Sequence, residues 1–203
     1  VCWDMHVFDS EFYVQSKVRI TPVEDYNTFN PQEYDMDQWI RSLKNAGFKI
    51  AVFTVSHETG FFFHQSSATP YSMKALEWQE GKGDILRDFK ASCEKYGILP
   101  GVYIGTRWNA FYGIHDFKVS GDNGFSENRQ KHYNTMIEKI VAEIFSNYGE
   151  WAMVWFDGGR MVRNRVALMY CRYLRNTSRI LCSTTTCNVP ICDGEVVKME
   201  RFH

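Results

Sequence analysis

Glu150-Trp-Ala-Met-Val-Trp-Phe-Asp157-Gly-Gly159 is the stretch from which the fold of this chain can be predicted. A short apolar run, Trp151 to Phe156, leads directly to a carboxylate and two glycines. Such a run, bounded by turn residues, predicts a strand buried on both faces, as in parallel α/β sheets. Ligands bind these sheets at the carboxyl ends of the strands, which makes Asp157 a candidate catalytic residue. The alternative is that Asp157 caps the next helix, a common role of Asp.

Strand-like and helix-like segments alternate along the rest of the chain. The predicted strands are residues 1–8, Phe48 to Val55, Gly101 to Ile104, Trp151 to Phe156 and Arg179 to Cys182. The predicted helices begin after the caps Asp35 and Asp84, end at Gly47 and Gly97, and also cover residues 127–148 and 162–176. This alternation indicates parallel βαβ units, and long loops after the strands with tight turns before them are typical of a (β/α) barrel.

The length of the chain limits how complete such a barrel can be. About five units fit, whereas a complete barrel takes roughly 250 residues. We therefore predict the α/β class and a single domain over residues 1–203, an irregular TIM-like (β/α) barrel that is incomplete in this chain. A fragment lacking its C-terminal part is one interpretation. The loop from Phe61 to Lys82 is predicted to lack regular structure, and loops of this length are often functional.

The composition excludes several classes of function. The chain has 203 residues and a net charge of −1, so nothing indicates a nucleic-acid partner or an anionic membrane surface. No apolar run approaches the roughly 20 residues that span a bilayer. The sequence opens at Val1, already strand-like and without an initiating Met, so we expect mature or partial material.

The cysteines point to an oxidising compartment. There are six of them: Cys2, Cys93, Cys171, Cys182, Cys187 and Cys192. Cys93 and Cys171 fall on predicted helices, where we expect buried thiols. The last three recur every five residues, a pattern that allows either a disulfide cluster or, with His203, a metal site. Because the spacing matches no standard zinc pattern, we predict no metal. With the glycosylation triplet at Asn176, the cysteines favour a secreted or lysosomal protein.

A series of short motifs occurs in one order along nearly the whole chain. They are Phe29-Asn-Pro31, Asp37-Gln-Trp39, Ala46-Gly-Phe-Lys49, His57, Gly60-Phe61, Gly81-Lys-Gly-Asp84, Lys95-Tyr-Gly97, Gly101-Val-Tyr103, Asn147-Tyr-Gly149 and Trp155-Phe-Asp-Gly-Gly159. Together they resemble the retaining α-L-fucosidases of glycoside hydrolase family 29. The resemblance implies an irregular (β/α) barrel that removes terminal α-L-fucose from glycoconjugates with net retention and without a cofactor.

The resemblance also assigns the two catalytic carboxyl groups. It places the nucleophile on Asp157, which agrees with a carboxylate at a strand end. Retaining hydrolysis needs an acid/base roughly 5–5.5 Å from the nucleophile. The counterpart of the family's acid/base turn is Ile191-Cys-Asp-Gly-Glu195, which makes Glu195 the candidate, with Glu200 as the second. Glu195 as a solvated loop residue is the alternative.

Substrate-binding residues are predicted partly from the same resemblance. The candidates are His6, His57, Glu58, His64, Trp78, Tyr103 and Trp108. His57 matches the first His of a family loop that hydrogen-bonds fucose hydroxyls. Glu58 stands where a second His or a Cys would be, and His64 where a Trp usually follows. The segment Cys2 to Phe8 puts Cys2 at the position of a fucose-binding His, with His6 near it.

Aromatic residues complete the predicted site. Tyr103 matches a tyrosine at a strand end near the nucleophile. Trp78 and Trp108 are predicted platforms for sugar faces, or else parts of a local core. Three functions remain open: an active exo-fucosidase with altered leaving-group preference, a degenerate homologue that binds glycans or proteins without turnover, and a structural protein. We take the active enzyme, with a fucosylated glycan as its substrate, as the prediction.

Overall fold

The computed structural model describes residues 28–119, 124–156 and 181–183, the last three by their backbone alone. The elements in chain order are α1 (Met36–Asn45), β1 (Ile50–Ser56), α2 (Ile85–Tyr96), β2 (Leu99–Ile104), β3 (Ile114–His115), β4 (Lys118–Val119), α3 (Gly124–Asn147), β5 (Met153–Phe156) and β6 (Leu181–Ser183). Helices and strands alternate as predicted, so the α/β class is confirmed.

A parallel sheet positions the candidate site. Within the described ranges it has four strands in the order β1-β2-β5-β6, so each strand lies beside the next one that joins the sheet. Strands β3 and β4 form a short antiparallel pair in the loop after β2. At the carboxyl ends, Ser56 pairs with Ile104 and Ile104 with Phe156, which brings three strand ends into one row.

The helices begin at the predicted caps. The Asp35 side chain accepts a hydrogen bond from the Gln38 N–H at 2.9 Å, and that of Asp84 accepts one from the Arg87 N–H at 3.0 Å. Each cap satisfies a backbone donor that the first helical turn leaves unpaired. Helix α2 ends at Gly97, whose left-handed φ of 64° suits glycine. Cys93 lies buried in this helix as a free thiol, as predicted, and burial raises its pKa to about 12.

The long helix α3, predicted at residues 127–148, presents an apolar stripe to the core. Its buried members include Met136, Ile137, Ile140, Ile144 and Phe145. The helix begins at Gly124, three residues before the predicted start. By contrast, the helix α1 buries only Met36 and Ile40, while Trp39 is exposed. None of the helices in the described part of the chain is long and apolar enough to cross a membrane.

Strand β5, from which the fold was predicted, is less buried than expected. Only Val154 of β5 is fully buried, so the prediction of burial on both faces is wrong for this strand. On β1, Phe53 and Val55 are buried whereas Val52 on the opposite face is 38% exposed. One face of the sheet therefore packs against the core, and the other remains partly open.

The loop 61–82, predicted to lack regular structure, contains some and is largely buried. It contains two short 3₁₀ turns, Met73–Ala75 and Trp78–Gly81, and an isolated bridge between Phe62 and Ser72. Its apolar residues Phe61, Phe62, Phe63, Tyr71, Met73 and Leu76 are buried. The loop thus forms part of the core between β1 and α2.

Several predictions lie outside the described residues. They include the strand at 1–8, the helix at 162–176, Cys171, Cys187 and Cys192, whereas Cys182 lies on β6 and is described by its backbone alone. The predicted strand from Arg179 to Cys182 is confirmed where it can be compared, since Leu181–Ser183 pairs in parallel with β5.

Candidate active site

The site is built around the carboxyl ends of β1, β2 and β5. Ser56, Ile104 and Phe156 end these strands side by side, and His57 follows Ser56 directly. Asp157 follows Phe156 in the sequence, but its position lies outside the described residues. The carboxyl ends of parallel strands are where α/β proteins bind ligands.

An irregularity in β1 brings His57 onto the open face of the sheet. Strict alternation would place His57 on the same face as Val55, which packs into the core. The pairing register shifts between Thr54 and Ser56, so that an extra residue of β1 is accommodated. Such an insertion re-aims the side chains that follow it. The His57 ring accordingly contacts Tyr103, the partner of Thr54, with ring centroids 6.0 Å apart.

His57, Tyr103 and Trp155 form an aromatic row across the strand ends. Tyr103 pairs with Trp155 in the sheet, and their rings meet edge to face at 5.5 Å. The row is largely withdrawn from solvent, since both His57 and Tyr103 are buried. Among the described residues the buried indole N–H of Trp155 has no hydrogen-bond acceptor. A carboxylate or a sugar oxygen in front of the row would satisfy it.

The segment after β1 is held by the loop after β2. The backbone N–H of Ala110 donates to the Glu58 carbonyl at 2.9 Å, and that of Phe111 donates to the Thr59 carbonyl at 3.3 Å. Gly60, with φ at 82°, packs directly against the Asn109 side chain. These contacts bring the two loops together beside the aromatic row, a placement that the sequence did not reveal.

Glu58 contributes a buried carboxyl group next to His57. Its side chain is 7% exposed. An ionised carboxylate accepts hydrogen bonds and donates none, whereas an imidazole can do both. If Glu58 binds a sugar, it does so by accepting from hydroxyl groups, which differs from the role of the His expected at this position.

His64 belongs to a second cluster, which we call the Glu143 cluster: His64, Ser66, Ser67 and Glu143. The fully buried His64 places Nε2 3.4 Å from Glu143 Oε2. The same carboxylate accepts from Ser66 Oγ at 2.7 Å and from the Ser67 N–H at 2.9 Å. His64 thus links the loop after β1 to α3. Its predicted contact with substrate stays a prediction.

The Glu143 carboxylate is strongly stabilised in its ionised form. Burial alone would raise the pKa of Glu143, but hydrogen bonds from His64, Ser67 and Ser66 outweigh it and lower the pKa from 4.5 to about 2. A carboxyl group with a lowered pKa stabilises the folded state above its ordinary pKa. That stabilisation is lost as the pH falls from about 4.5 towards 2.

We expect Glu143→Gln to lower the free energy of unfolding by about 1–3 kcal/mol at neutral pH, because hydrogen bonds to a charged group are weakened. The difference from the wild type should be constant near neutrality and shrink below pH 4.5. Urea unfolding at a series of pH values measures it. Glu138→Gln, on the same helix, is the matched control. A difference for Glu143→Gln that stayed constant down to pH 3 would contradict this account.

The two predicted tryptophan platforms differ in their surroundings. The Trp78 ring packs edge-on against Phe29 and Tyr34, at 5.4 and 5.2 Å, and its indole N–H donates to the Pro31 carbonyl. These contacts favour the local-core alternative for Trp78. Trp108 is half-buried in the loop after β2 and packs edge-on against His115 at 5.6 Å.

Four predicted site residues cannot be placed. They are His6, Asp157, Glu195 and Glu200, which lie outside the described residues together with Cys2. Within the described ranges, no group of three or more His, Cys, Asp or Glu side chains could hold a metal ion.

Fold and site together define an α/β protein with a cluster of polar and aromatic side chains at the ends of parallel strands. Comparison with known proteins gives the family. The chain belongs to the alpha-L-fucosidase family, whose profile matches residues 6–198. The resemblance predicted from the sequence is therefore confirmed, including its assignment to glycoside hydrolase family 29.

Individual relatives agree with this assignment. Alpha-L-fucosidase 1 of Arabidopsis thaliana is 28% identical over 134 residues, 65% of this chain and 24% of the relative. A Bacteroides thetaiotaomicron structure, provisionally described as an alpha-L-fucosidase, is 46% identical with a TM-score of 0.82 and covers 90% of this chain. A glycoside hydrolase 29 family member from an unknown rumen bacterium is 30% identical with a TM-score of 0.60, covering 78%. This chain spans only 42% and 25% of those two structures.

Proposed function

We propose that this protein is a retaining α-L-fucosidase that removes terminal α-L-fucose from glycoconjugates through a covalent fucosyl-Asp157 intermediate. The observation that carries the proposal is the family match from residue 6 to residue 198, which includes both His57 and Asp157. The sheet register supports it, because Phe156 ends β5 level with the strand that precedes His57.

The proposed architecture is an irregular (β/α) barrel, of which the described sheet is one part. Its parallel strands follow one another in chain order, as barrel strands do. One face is covered by the core, while the other carries partly exposed apolar side chains such as Val52. An open apolar face of this kind is what the interior of a barrel would present where further strands are needed to cover it.

The chemistry proposed for the two carboxyl groups has two steps. In the first, Asp157 attacks the anomeric carbon of fucose, the glycosidic C–O bond breaks, and Glu195 or Glu200 gives its proton to the leaving oxygen. In the second, the same Glu removes a proton from water, water attacks the anomeric carbon, and the bond to Asp157 breaks. Two inversions leave the configuration of the sugar unchanged.

The described residues would bind and orient the sugar. His57 is proposed to hydrogen-bond fucose hydroxyls, and Glu58 to accept from a neighbouring hydroxyl. Tyr103 and Trp155 supply apolar walls beside His57, which suits a deoxy sugar that carries a methyl group. For the whole protein we propose a secreted or lysosomal location, on the basis of the cysteines and the triplet at Asn176.

Hydrolysis of a chromogenic aryl α-L-fucoside, followed by proton NMR, tests the proposed function. We expect α-L-fucose to form first and to mutarotate afterwards to the equilibrium mixture. Formation of the β anomer first would show inversion and contradict the assignment of Asp157 as a nucleophile. No release of aryl alcohol would contradict the hydrolase itself.

A glycan-binding homologue without turnover is the second candidate function. The buried Glu58 favours it, because a carboxylate here replaces a histidine expected from the family pattern. Calorimetric titration with L-fucose distinguishes this candidate from a purely structural protein if no hydrolysis is found. Saturable heat at millimolar sugar supports binding, and absence of heat contradicts it.

A further inference from the structure

Phe111 is a large apolar side chain that remains 41% exposed beside the candidate active site. Its ring stacks on buried Tyr71, with centroids 4.4 Å apart and planes at 9°. Tyr112 packs against it at 75°, with centroids 5.2 Å apart. Because Tyr71 precedes α2 and Phe111 follows β2, the stack joins two loops and fixes the orientation of the Phe111 ring.

Backbone hydrogen bonds place Phe111 next to the aromatic row. Its N–H donates to Thr59, and the N–H of Ala110 donates to Glu58, so both bonds reach the segment that directly follows His57. Phe111 is therefore attached to the wall of the proposed fucose pocket without belonging to the row of His57, Tyr103 and Trp155.

We propose that Phe111 is the stacking platform for the sugar on the leaving-group side of the scissile bond, the pyranose to which fucose is attached. This inference rests on the proposed fucosidase function. The carbon-bound hydrogens of a pyranose form an apolar face that packs on the electron-rich face of an aromatic ring. A ring held in place by Tyr71 loses little conformational entropy when a sugar binds it. The platform therefore favours glycan leaving groups over small ones.

The tryptophans predicted as platforms fit this role less well. Trp78 is enclosed by Phe29 and Tyr34 in a local core. Trp108 turns towards the edge of His115 within its own loop. Phe111 combines exposure with a rigid stack and a direct backbone link to the site, whereas both tryptophans are partly buried.

The test compares two substrates that differ only in the leaving group: a fucosylated oligosaccharide and α-L-fucosyl fluoride. We expect Phe111→Ala to lower kcat/KM for the oligosaccharide about 10-fold, mostly through KM, and to leave fucosyl fluoride unchanged. Phe111→Trp, which keeps an aromatic face, should restore kcat/KM for the oligosaccharide. Phe48→Ala is the matched control. Phe48 is 54% exposed and precedes β1, so it lies at the amino end of this strand, whereas the candidate site lies at the carboxyl end.

The outcomes separate this inference from the proposed function. An equal loss on both substrates, or no loss on either, overturns the platform while leaving the fucosidase intact. Turnover of neither substrate by the wild type contradicts the proposed function instead. In that case, calorimetric titration tests the role of Phe111. Phe111→Ala should weaken binding of the oligosaccharide and not of L-fucose. Equal binding of the oligosaccharide by the wild type and by Phe111→Ala would overturn the proposed platform.

Discussion

Replacing Asp157 with alanine is expected to lower kcat/KM for an aryl α-L-fucoside by about 10³-fold or more. The side chain supplies the nucleophile in the proposed reaction, so its removal abolishes the covalent intermediate and leaves only binding and acid catalysis. Initial rates measure the loss. The fold should survive, because the substitution is smaller than the native residue and follows the last residue of β5.

A small nucleophile distinguishes a lost catalytic group from structural damage. Azide can occupy the space left by the carboxylate and attack the anomeric carbon from the same side, giving fucosyl azide of inverted configuration. We expect azide to accelerate the release of aryl alcohol by Asp157→Ala and not by the wild type. Glu150→Gln, at an exposed carboxylate just before β5, should keep wild-type rates. Equal activity of Asp157→Ala and the wild type would remove Asp157 from the mechanism.

Replacing Gly60 with alanine is expected to lower the free energy of unfolding by about 2–5 kcal/mol, the largest stability effect we predict. Two costs combine. Gly60 has φ at 82°, a conformation that strains any residue with a Cβ. A Cβ there would also lie 2.2 Å from Asn109 Oδ1, so the side chain that joins the two loops would have to move.

Gly47 provides the matched control for this substitution. It has a similar φ of 88°, but a Cβ would meet nothing within 4 Å. Gly47→Ala should therefore cost only the backbone strain, about 1–2 kcal/mol. Thermal unfolding measures both, at roughly 2–4 °C per kcal/mol for a chain of this size. Equal shifts for the two variants would show that the contact with Asn109 is unimportant.

The helices could be predicted from the sequence because their determinants are local. Asp35 and Asp84 stand at the caps, and Gly97 ends α2, each within a turn of the backbone groups that it satisfies. The apolar stripe of α3 runs from Tyr133 to Phe145 and gives an unambiguous helical period. The family motifs likewise sufficed for the family, because their order along the chain is specific.

The burial of β5 could not be predicted in the same way. An apolar run indicates that a strand can be covered on both faces, but the covering residues come from elsewhere in the chain. In the described part only Val154 is fully covered. The register shift in β1 was equally hidden, since Thr54 and Ser56 carry no sequence signal of it. It nevertheless decides that His57 contacts Tyr103.

Contacts between distant residues account for the features of the site that the sequence did not predict. His64 was assigned to the substrate from its position in a motif, and that contact stays a prediction; its contact with Glu143, 79 residues away, carried no sequence signal. Phe111 was missed because its partner Tyr71 lies in a different loop. The one available signal was an aromatic residue in the loop after a strand, a position that Phe111 shares with Trp108.

The central claim is that Asp157 forms the bond to fucose, and covalent trapping tests it most directly. A fluorinated fucosyl fluoride carries an additional fluorine that destabilises the oxocarbenium-like transition states. Its good leaving group still allows the covalent intermediate to form, whereas hydrolysis of that intermediate is slow, so the intermediate accumulates. Mass spectrometry of the peptides then locates the label. We predict one fucosyl adduct on the peptide that contains Asp157, and none in Asp157→Ala. An adduct on another residue, in a protein that turns over aryl fucosides, would contradict the account.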